Sequence, residues 1–99
     1  MKANVTKNNK DYTIRLVGML SSKTSILLGK KLLPILKDAD RLTFDFAELS
    51  GITSAGMRLM IMTQKLMNHK GREMRIINVN ETLEKNFEIK SFKDYLKIE

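Results

Sequence analysis

Cysteine and tryptophan are absent from this 99-residue chain, and there is a single histidine, His69. Without cysteine the protein has no disulfides, thiolate zinc sites, iron–sulfur clusters or cysteine nucleophile. One histidine cannot build a histidine cluster for a metal ion. Aromatic residues make up only 6% of the chain, which leaves few rings on which single-stranded nucleic acid could stack. We therefore expect no metal and no cofactor.

Long apolar runs are also missing. The longest are four or five residues, such as residues 59–62, whereas a membrane-spanning helix needs about 20. The first 13 residues contain no apolar segment of the kind that makes a signal peptide. We expect a cytoplasmic protein with no membrane insertion.

The positive charge is spread along the chain. The formal net charge is +7 at pH 7, from 18 basic and 11 acidic residues. No basic run exceeds two residues, at Lys30-Lys31, whereas nucleic-acid-binding tails carry blocks of like charge. The charge is interpreted as a solvated surface, and no nucleic-acid partner is expected. Hydrophobic residues at 42% over 99 residues predict a single globular domain over residues 1–99.

Several segments alternate apolar and polar residues, a pattern typical of half-buried strands. In Tyr12–Val17 the alternation places Tyr12, Ile14 and Leu16 on one face. Turn-forming residues 8–11 precede it, so residues 3–7 are predicted to form the first arm of a hairpin. Further strands are predicted at Arg41–Phe46, Glu73–Val79 and, as a last edge strand, Lys93–Ile98, with a loop over Ala47–Ile52.

Three helices are predicted between the strands. The first covers residues 24–37, with Ser21, Ser22 and Thr24 as candidate N-caps and a bend at Pro34. The second begins near Thr53 and ends near Asn68, and Gly71 follows its end. Its apolar residues cover most of its circumference, so it should be well buried. A short third helix, capped by Asn80, runs through Phe87. The methionines of the second helix are interpreted as core residues rather than a binding surface: Met57, Met60, Met62 and Met67.

The predicted order is β-β-α-β-α-β-α-β. Helical crossovers join parallel neighbours in such an order, so the fold class is α/β. We expect a mixed sheet of about five strands with βαβ crossovers, an N-terminal hairpin and three main helices.

No catalytic constellation is present, so the chain is not predicted to be an enzyme. His69 lies at a helix end, where a solvated histidine favourable to the helix dipole is expected. Asp45 and Glu48 lack the spacing of a catalytic pair. Gly29-Lys30-Lys31 lacks the upstream glycine of a phosphate-binding loop.

The informative segment is the loop-to-helix junction Thr53-Ser54-Ala55-Gly56. A serine or threonine at this place is an N-cap, whose oxygen accepts from the first amides of the helix and contributes about 1 kcal/mol. The same place favours an added phosphate, because free amides and the helix dipole attract an anion. The two roles are compatible.

Residues Leu42–Arg58 resemble the signature of the STAS family, the anti-sigma factor antagonists. That signature is an apolar strand ending in Asp, a short loop, a small polar residue, Ser, a small residue and Gly before an apolar helix. Asp45, Ser54 and Gly56 match it. Val17–Leu20 and Gly71–Met74 resemble the family's turn into its first helix and its entry into the fourth strand. The resemblance covers roughly residues 4–98.

The resemblance implies a binding protein controlled by phosphorylation. In the family, the serine equivalent to Ser54 is phosphorylated by a partner that is both an anti-sigma factor and a serine kinase, and the unphosphorylated form binds that partner. Thr53 is a less favoured phosphorylation site. The chain departs from the family where Thr53 replaces a frequent Asp and Ser21 an acidic residue, and its C-terminal helix should be missing or very short. The residues expected to bind the partner are Ser21, Asp45, Thr53, Ser54, Gly56 and Met57.

Three other functions stay open. The first is a STAS scaffold subunit of a transport or stress-sensing complex in which Ser54 is only a helix N-cap. The others are a nucleic-acid binder and an enzyme that depends on His69. For Gly56, we expect a first-turn position less buried than the methionines, where a bulky side chain would block docking and leave the fold largely intact.

Overall fold

The computed structural model of the chain describes residues 1–85 and 93–99. Within these ranges the elements follow the predicted order, with four strands where about five were expected. A 3-10 turn at Lys93–Tyr95 comes after the last helix. The strands and helices are β1 (Lys2–Asn8), β2 (Asp11–Leu20), α1 (Ser22–Asp38), β3 (Arg41–Ile52), α2 (Ser54–His69), β4 (Glu73–Ile77) and α3 (Glu81–Glu84).

The four strands form one mixed sheet in the order β1-β2-β3-β4. β1 and β2 are the predicted hairpin: Asn8 pairs with Asp11, and Asn9 takes a left-handed conformation with φ of 56°, which asparagine tolerates better than most residues. The pairs β2–β3 and β3–β4 are parallel. Helices α1 and α2 are the crossovers that join them, as the predicted α/β class requires.

The core lies between the sheet and the two long helices. The predicted inward faces are confirmed: Tyr12, Ile14 and Leu16 of β2 are buried. The same alternation buries three side chains of β3 and two of β4, and α1 covers them with leucine and isoleucine residues at helical spacing. These further core residues are Leu42, Phe44, Phe46, Met74, Ile76, Leu28, Leu32, Ile35 and Leu36.

The predicted loop over Ala47–Ile52 is wrong, because β3 continues to Ile52. β2 also extends past Gly18, which has φ of 102°, and pairs with this extension through two register shifts. The Asn80 side chain supports the extension by donating from Nδ2 to the carbonyl oxygens of Phe46 at 3.0 Å and Leu49 at 2.9 Å. Alternation alone does not reveal such a strand, because its register is irregular.

The helix boundaries match the prediction to within two residues for α1 and α2. The prediction that α2 is buried around most of its circumference is wrong: Met57, Met60 and Met67 are in the core, whereas Met62 is 67% exposed. Asn80 caps α3 as predicted, accepting from the Leu83 amide at 3.0 Å. The predicted end of α3 at Phe87 lies outside the described residues.

The predicted edge strand Lys93–Ile98 is also wrong. Residues 93–95 wind into the 3-10 turn, so only the residues after Leu96 extend along β4. Ile98 forms a single parallel bridge with Ile76, made by the bonds from the Ile76 amide to the Lys97 carbonyl and from the Glu99 amide to the Ile76 carbonyl.

Candidate functional site

The N-termini of α1 and α2 lie side by side at one edge of the sheet. β2 ends at Leu20 and β3 at Ile52, and these two residues pair in the parallel ladder. Because each strand leads directly into a helix, the two helices begin next to each other. The Thr53 amide donates to the Leu20 carbonyl at 2.9 Å, which joins the two junctions. We call this region, residues 19–22 and 50–58, the helix-start site.

Ser21 is the N-cap of α1. Its hydroxyl accepts from the Thr24 amide at 3.2 Å, and the Thr24 hydroxyl accepts from the Ser21 amide at 2.7 Å. This reciprocal arrangement is a capping box with threonine in place of the more usual glutamate or glutamine. Of the three candidates at this helix start, the structure selects Ser21, which is half-buried.

Thr53, not Ser54, is the N-cap of α2. Its hydroxyl accepts from the Gly56 amide at 3.3 Å and donates to the Leu20 carbonyl at 3.2 Å, and its carbonyl accepts from the Met57 amide at 2.9 Å. The hypothesis in which Ser54 acts only as the N-cap is therefore wrong. The Thr53 side chain satisfies an amide of the first turn and also ties α2 to the end of β2.

Ser54 is the first helical residue of α2 and is exposed. Neither α1 nor α2 has an acidic residue in its first turn, where carboxylates are normally favoured by the helix dipole. Arg58 is also exposed and follows Ser54 by four residues, a spacing that places two side chains on the same helix face. The helix-start site thus presents a serine hydroxyl in positively polarised surroundings.

Gly56 is buried, contrary to the expectation of a less buried first-turn position. A Cβ atom at Gly56 would lie 2.8 Å from Ile52 Cγ1, 2.9 Å from Leu20 Cγ and 3.0 Å from the Leu20 carbonyl oxygen. The glycine therefore allows α2 to approach the ends of β2 and β3, and a bulky residue would disturb the fold. Met57 is only 1% exposed, so its side chain belongs to the core below the site.

Asp45 lies apart from the helix-start site. It pairs with Arg15, which precedes Leu20 on β2 by five residues. Five residues of strand place Asp45 roughly 15 Å from the strand ends at the helix-start site. Its Oδ1 accepts from the Ala47 amide at 3.0 Å and from Asn78 Nδ2 at 3.1 Å. These bonds fix the chain where β4 ends. Of the residues predicted to bind a partner, the structure brings together Ser21, Thr53 and Ser54 at the surface, with Gly56 and Met57 beneath them.

Two residues that contribute to the surroundings of Ser54 and Asp45 were not predicted from the sequence. Arg58 carried a weak signal, its spacing of four residues from Ser54. Asn78 carried none, because its bond to Asp45 joins residues 33 positions apart. A left-handed φ of 58° places Asn78 there.

In the described ranges 1–85 and 93–99, no group of three or more histidine, aspartate or glutamate side chains could hold a metal ion. Among the same residues, no helix is long and apolar enough to cross a membrane. His69 is exposed at the last turn of α2, at the opposite end of that helix from Ser54.

The sequence model of the STAS domain family matches residues 2–99 of this chain. The chain belongs to the STAS domain family. This STAS domain is 24% identical over 98 residues to the anti-sigma-B factor antagonist of Bacillus subtilis (strain 168), covering 99% of this chain and 90% of that protein. This relative is thus, by its name, an antagonist of the anti-sigma-B factor.

Solved structures share the fold. The anti-sigma factor antagonist SpoIIAA in its unphosphorylated form superposes on this STAS domain with a TM-score of 0.81 at 16% identity, covering 99% of this chain and 88% of that one. The Bacillus cell fate determinant SpoIIAA in its phosphorylated form gives a TM-score of 0.76 at 16% identity, covering 99% and 91%. The expected family and fold class are therefore confirmed.

Proposed function

We propose that this STAS domain is an anti-sigma factor antagonist whose binding to an anti-sigma factor with serine kinase activity is controlled by phosphorylation of Ser54. In this proposal the unphosphorylated helix-start site binds the partner, and phosphate on Ser54 releases it. The protein then acts in the cytoplasm as a binding protein and not as an enzyme. The observation that carries the proposal is an exposed serine, at the family's motif position, that is not the cap of its own helix.

The division of roles between Thr53 and Ser54 supports this proposal. Thr53 supplies the capping oxygen and the bond to Leu20, so the Ser54 side chain can change chemically without removing the cap. As the first helical residue, Ser54 is accessible to a kinase. A modification at this place therefore leaves the fold intact and acts at the interface.

Electrostatics also favours a phosphate here. A phosphorylated serine carries about −1.5 to −2 charges at neutral pH. Phosphate at the start of α2 would meet positive helix ends that no first-turn carboxylate neutralises, and Arg58 four residues later is positioned to pair with it. The helix dipole alone contributes roughly 0.3–1 kcal/mol. The modified protein should therefore stay folded.

The negative charge of the phosphate would also weaken binding of the partner. The chain has a net charge of +7, which favours association with an acidic partner surface. Two added negative charges at the centre of the contact would repel that surface, and the strongly hydrated phosphate would resist burial. Phosphorylation would thus weaken binding without a large conformational change.

The scaffold function is the second candidate. It is favoured by Thr53 in place of the Asp found in many phosphorylated family members, because that substitution changes the residue next to Ser54. In a scaffold, Ser54 would stay unmodified, and binding would not respond to a kinase.

Phosphorylation mapping separates the two candidates. The purified protein is incubated with ATP, Mg²⁺ and the anti-sigma factor kinases of its host, and the modified residue is located by peptide mass spectrometry. We expect phosphate on Ser54 of the wild type and none on Ser54→Ala. Thr6→Ala is the control, because Thr6 is also exposed and lies on β1, outside the helix-start site, and this variant should be modified like the wild type.

Phosphate on another residue, or no modification by any of these kinases, would overturn the proposal. Phosphopeptides of the protein purified from its host should also carry the modification on Ser54. A Thr53→Ala variant still modified to the wild-type extent would place the phosphate on Ser54 and not on its neighbour.

A further inference from the structure

The facing sides of α1 and α2 leave large apolar side chains exposed. Leu33 of α1 is 60% exposed and Met62 of α2 is 67% exposed. On an amphipathic surface helix, large apolar side chains normally face the core. Between the helices lies a groove of about 630 Å³, and we call it the α1–α2 groove. The residues that line it include Gly29, Leu33, Leu36, Leu59, Met62 and Leu66.

Cations alternate with the apolar side chains on both sides of the α1–α2 groove. On α1, Ile26, Lys30, Leu33 and Lys37 follow one another at spacings of three or four residues, so they form one stripe. On α2, Arg58 precedes Met62 by four residues and Lys65 follows it by three. Each exposed apolar residue is therefore flanked by positive charge.

The two helices themselves carry little negative charge that could balance these cations. α2 contains no acidic residue, and the only one in α1 is Asp38. The Asp38 carboxylate is engaged elsewhere, with the Tyr12 hydroxyl at 2.5 Å and Lys7 Nζ at 3.3 Å. Within the part of the chain that the structure describes, Lys30, Lys37, Arg58 and Lys65 form no ion pair; the six ion pairs found there involve other residues.

The dimensions of the surface fit a helix. A second, shallower depression, lined by Ile26, Arg58 and Met62 among others, continues the apolar surface to Ala55. From Ala55 to His69 the surface follows roughly 21 Å of α2 at 1.5 Å per residue, which is the length of a four-turn helix. Gly29 keeps the floor open, since a Cβ atom there would already contact Leu59 at 3.8 Å.

We propose that the α1–α2 groove binds an acidic amphipathic helix of a partner protein. Large aliphatic side chains of the partner helix at positions i, i+3, i+4 and i+7 would enter the groove. Glutamate or aspartate residues beside them would pair with the four cations of the groove: Lys30, Lys37, Arg58 and Lys65. Charge complementarity selects this occupant. A second copy would bring the same cations face to face, and a concave groove suits a planar lipid surface poorly. The inference does not depend on phosphorylation of Ser54.

The test uses designed 18-residue peptides and fluorescence anisotropy. One peptide carries leucine at i, i+3, i+4 and i+7 with glutamate elsewhere. A second has the same composition with the leucines spread around the helix, and a third has lysine in place of glutamate. We expect micromolar binding of the first peptide, with affinity at least about tenfold lower for the other two.

Variants locate the binding surface. The double variant Leu33→Asp/Met62→Asp should bind the acidic peptide with an affinity at least about tenfold lower than the wild type. The double variant Lys30→Glu/Lys65→Glu should instead prefer the basic peptide to the acidic one. All four positions are exposed, so circular dichroism should show an unchanged fold. Val5→Asp is the matched control, because Val5 is a partly exposed apolar residue on β1 outside the groove.

Four results would overturn the proposal. Equal binding of the three peptides, or of wild type and the Leu33/Met62 variant, would show that the groove does not select an acidic amphipathic helix. Peptides that fail to bind while vesicles of anionic lipid do bind would assign the surface to a membrane. Dimers in sedimentation that are lost with Leu33→Asp and Met62→Asp would assign it to a second copy.

Discussion

Asp38 illustrates how a single side chain joins two elements of the fold. Asp38 is the last residue of α1, and its carboxylate accepts from the Tyr12 hydroxyl of β2 at 2.5 Å. Two hydrogen bonds lower the pKa of Asp38 below its ordinary value of 3.8: the one from Tyr12 has the larger effect, and the one from Lys7 comes second. A lowered pKa in the folded state means that the bond stabilises the fold above pH 3.8, and that this stabilisation is lost as the pH falls through the lowered pKa.

Tyr12→Phe should therefore raise the pKa of Asp38, because the ring is kept and the hydroxyl donor is removed. The pKa is measured by NMR from the chemical shift of the Asp38 carboxyl carbon as the pH is varied. The difference in unfolding free energy between wild type and Tyr12→Phe should shrink below pH 3.8. Tyr95→Phe, at the other tyrosine, should leave the pKa of Asp38 unchanged; an unchanged pKa in Tyr12→Phe as well would contradict the assignment.

Gly56 and Gly29 are helical glycines whose surroundings predict opposite effects of alanine. Alanine normally stabilises a helix by up to about 1 kcal/mol relative to glycine. At Gly29 a Cβ atom has room, so Gly29→Ala should raise the unfolding free energy by about 0.5–1 kcal/mol. At Gly56 the contacts of 2.8–3.0 Å with Leu20 and Ile52 should make alanine destabilising by about 1–3 kcal/mol.

Urea unfolding of the two alanine variants measures both effects. A stabilised Gly56→Ala would mean that α2 can move away from the strand ends at little cost. The close approach of α2 to β2 would then not be required for the position of the helix-start site.

Thr53 determines how α2 begins. Its hydroxyl serves both the Gly56 amide and the Leu20 carbonyl. Thr53→Ala should lower the unfolding free energy by about 1–2 kcal/mol, whereas Thr53→Ser keeps the hydroxyl and should cost less than about 0.5 kcal/mol. Ser54→Ala should also stay within about 0.5 kcal/mol, because Ser54 is exposed. A larger loss in Ser54→Ala than in Thr53→Ala would reverse the assignment of the cap.

The periodic elements could be predicted from the sequence because local patterns determine them. Alternation in Tyr12–Val17 and Arg41–Phe46 and helical spacing in α1 identified the strands, the first helix and their buried faces. The extension of β3 to Ile52 could not be predicted, since it pairs with β2 through register shifts and is supported by bonds from Asn80 to carbonyls more than 30 residues earlier. The exposure of Met62 was missed because an apolar residue on a helix looks the same in sequence whether the neighbouring helix covers it or stands beside it.

The topology of the sheet creates the helix-start site. Two parallel strands end as neighbours, so two helix starts meet at one edge, as ligand sites do in many parallel sheets. The motif around Ser54 could be identified from sequence, and the proximity of Ser21 follows from the element order. The place of Asp45 could not, because motif residues close in sequence can lie far apart along one extended strand.

We propose that phosphate on Ser54 controls partner binding while the domain stays folded. The most direct measurement is isothermal titration calorimetry of the anti-sigma factor kinase with the unmodified and the Ser54-phosphorylated protein, with circular dichroism of both forms. We predict that phosphorylation weakens binding at least about 30-fold, equivalent to roughly 2 kcal/mol, with unchanged spectra, and that Ser54→Ala binds like the unmodified protein. Equal affinity of the two forms, or loss of the folded spectrum on phosphorylation, would contradict control of binding by Ser54.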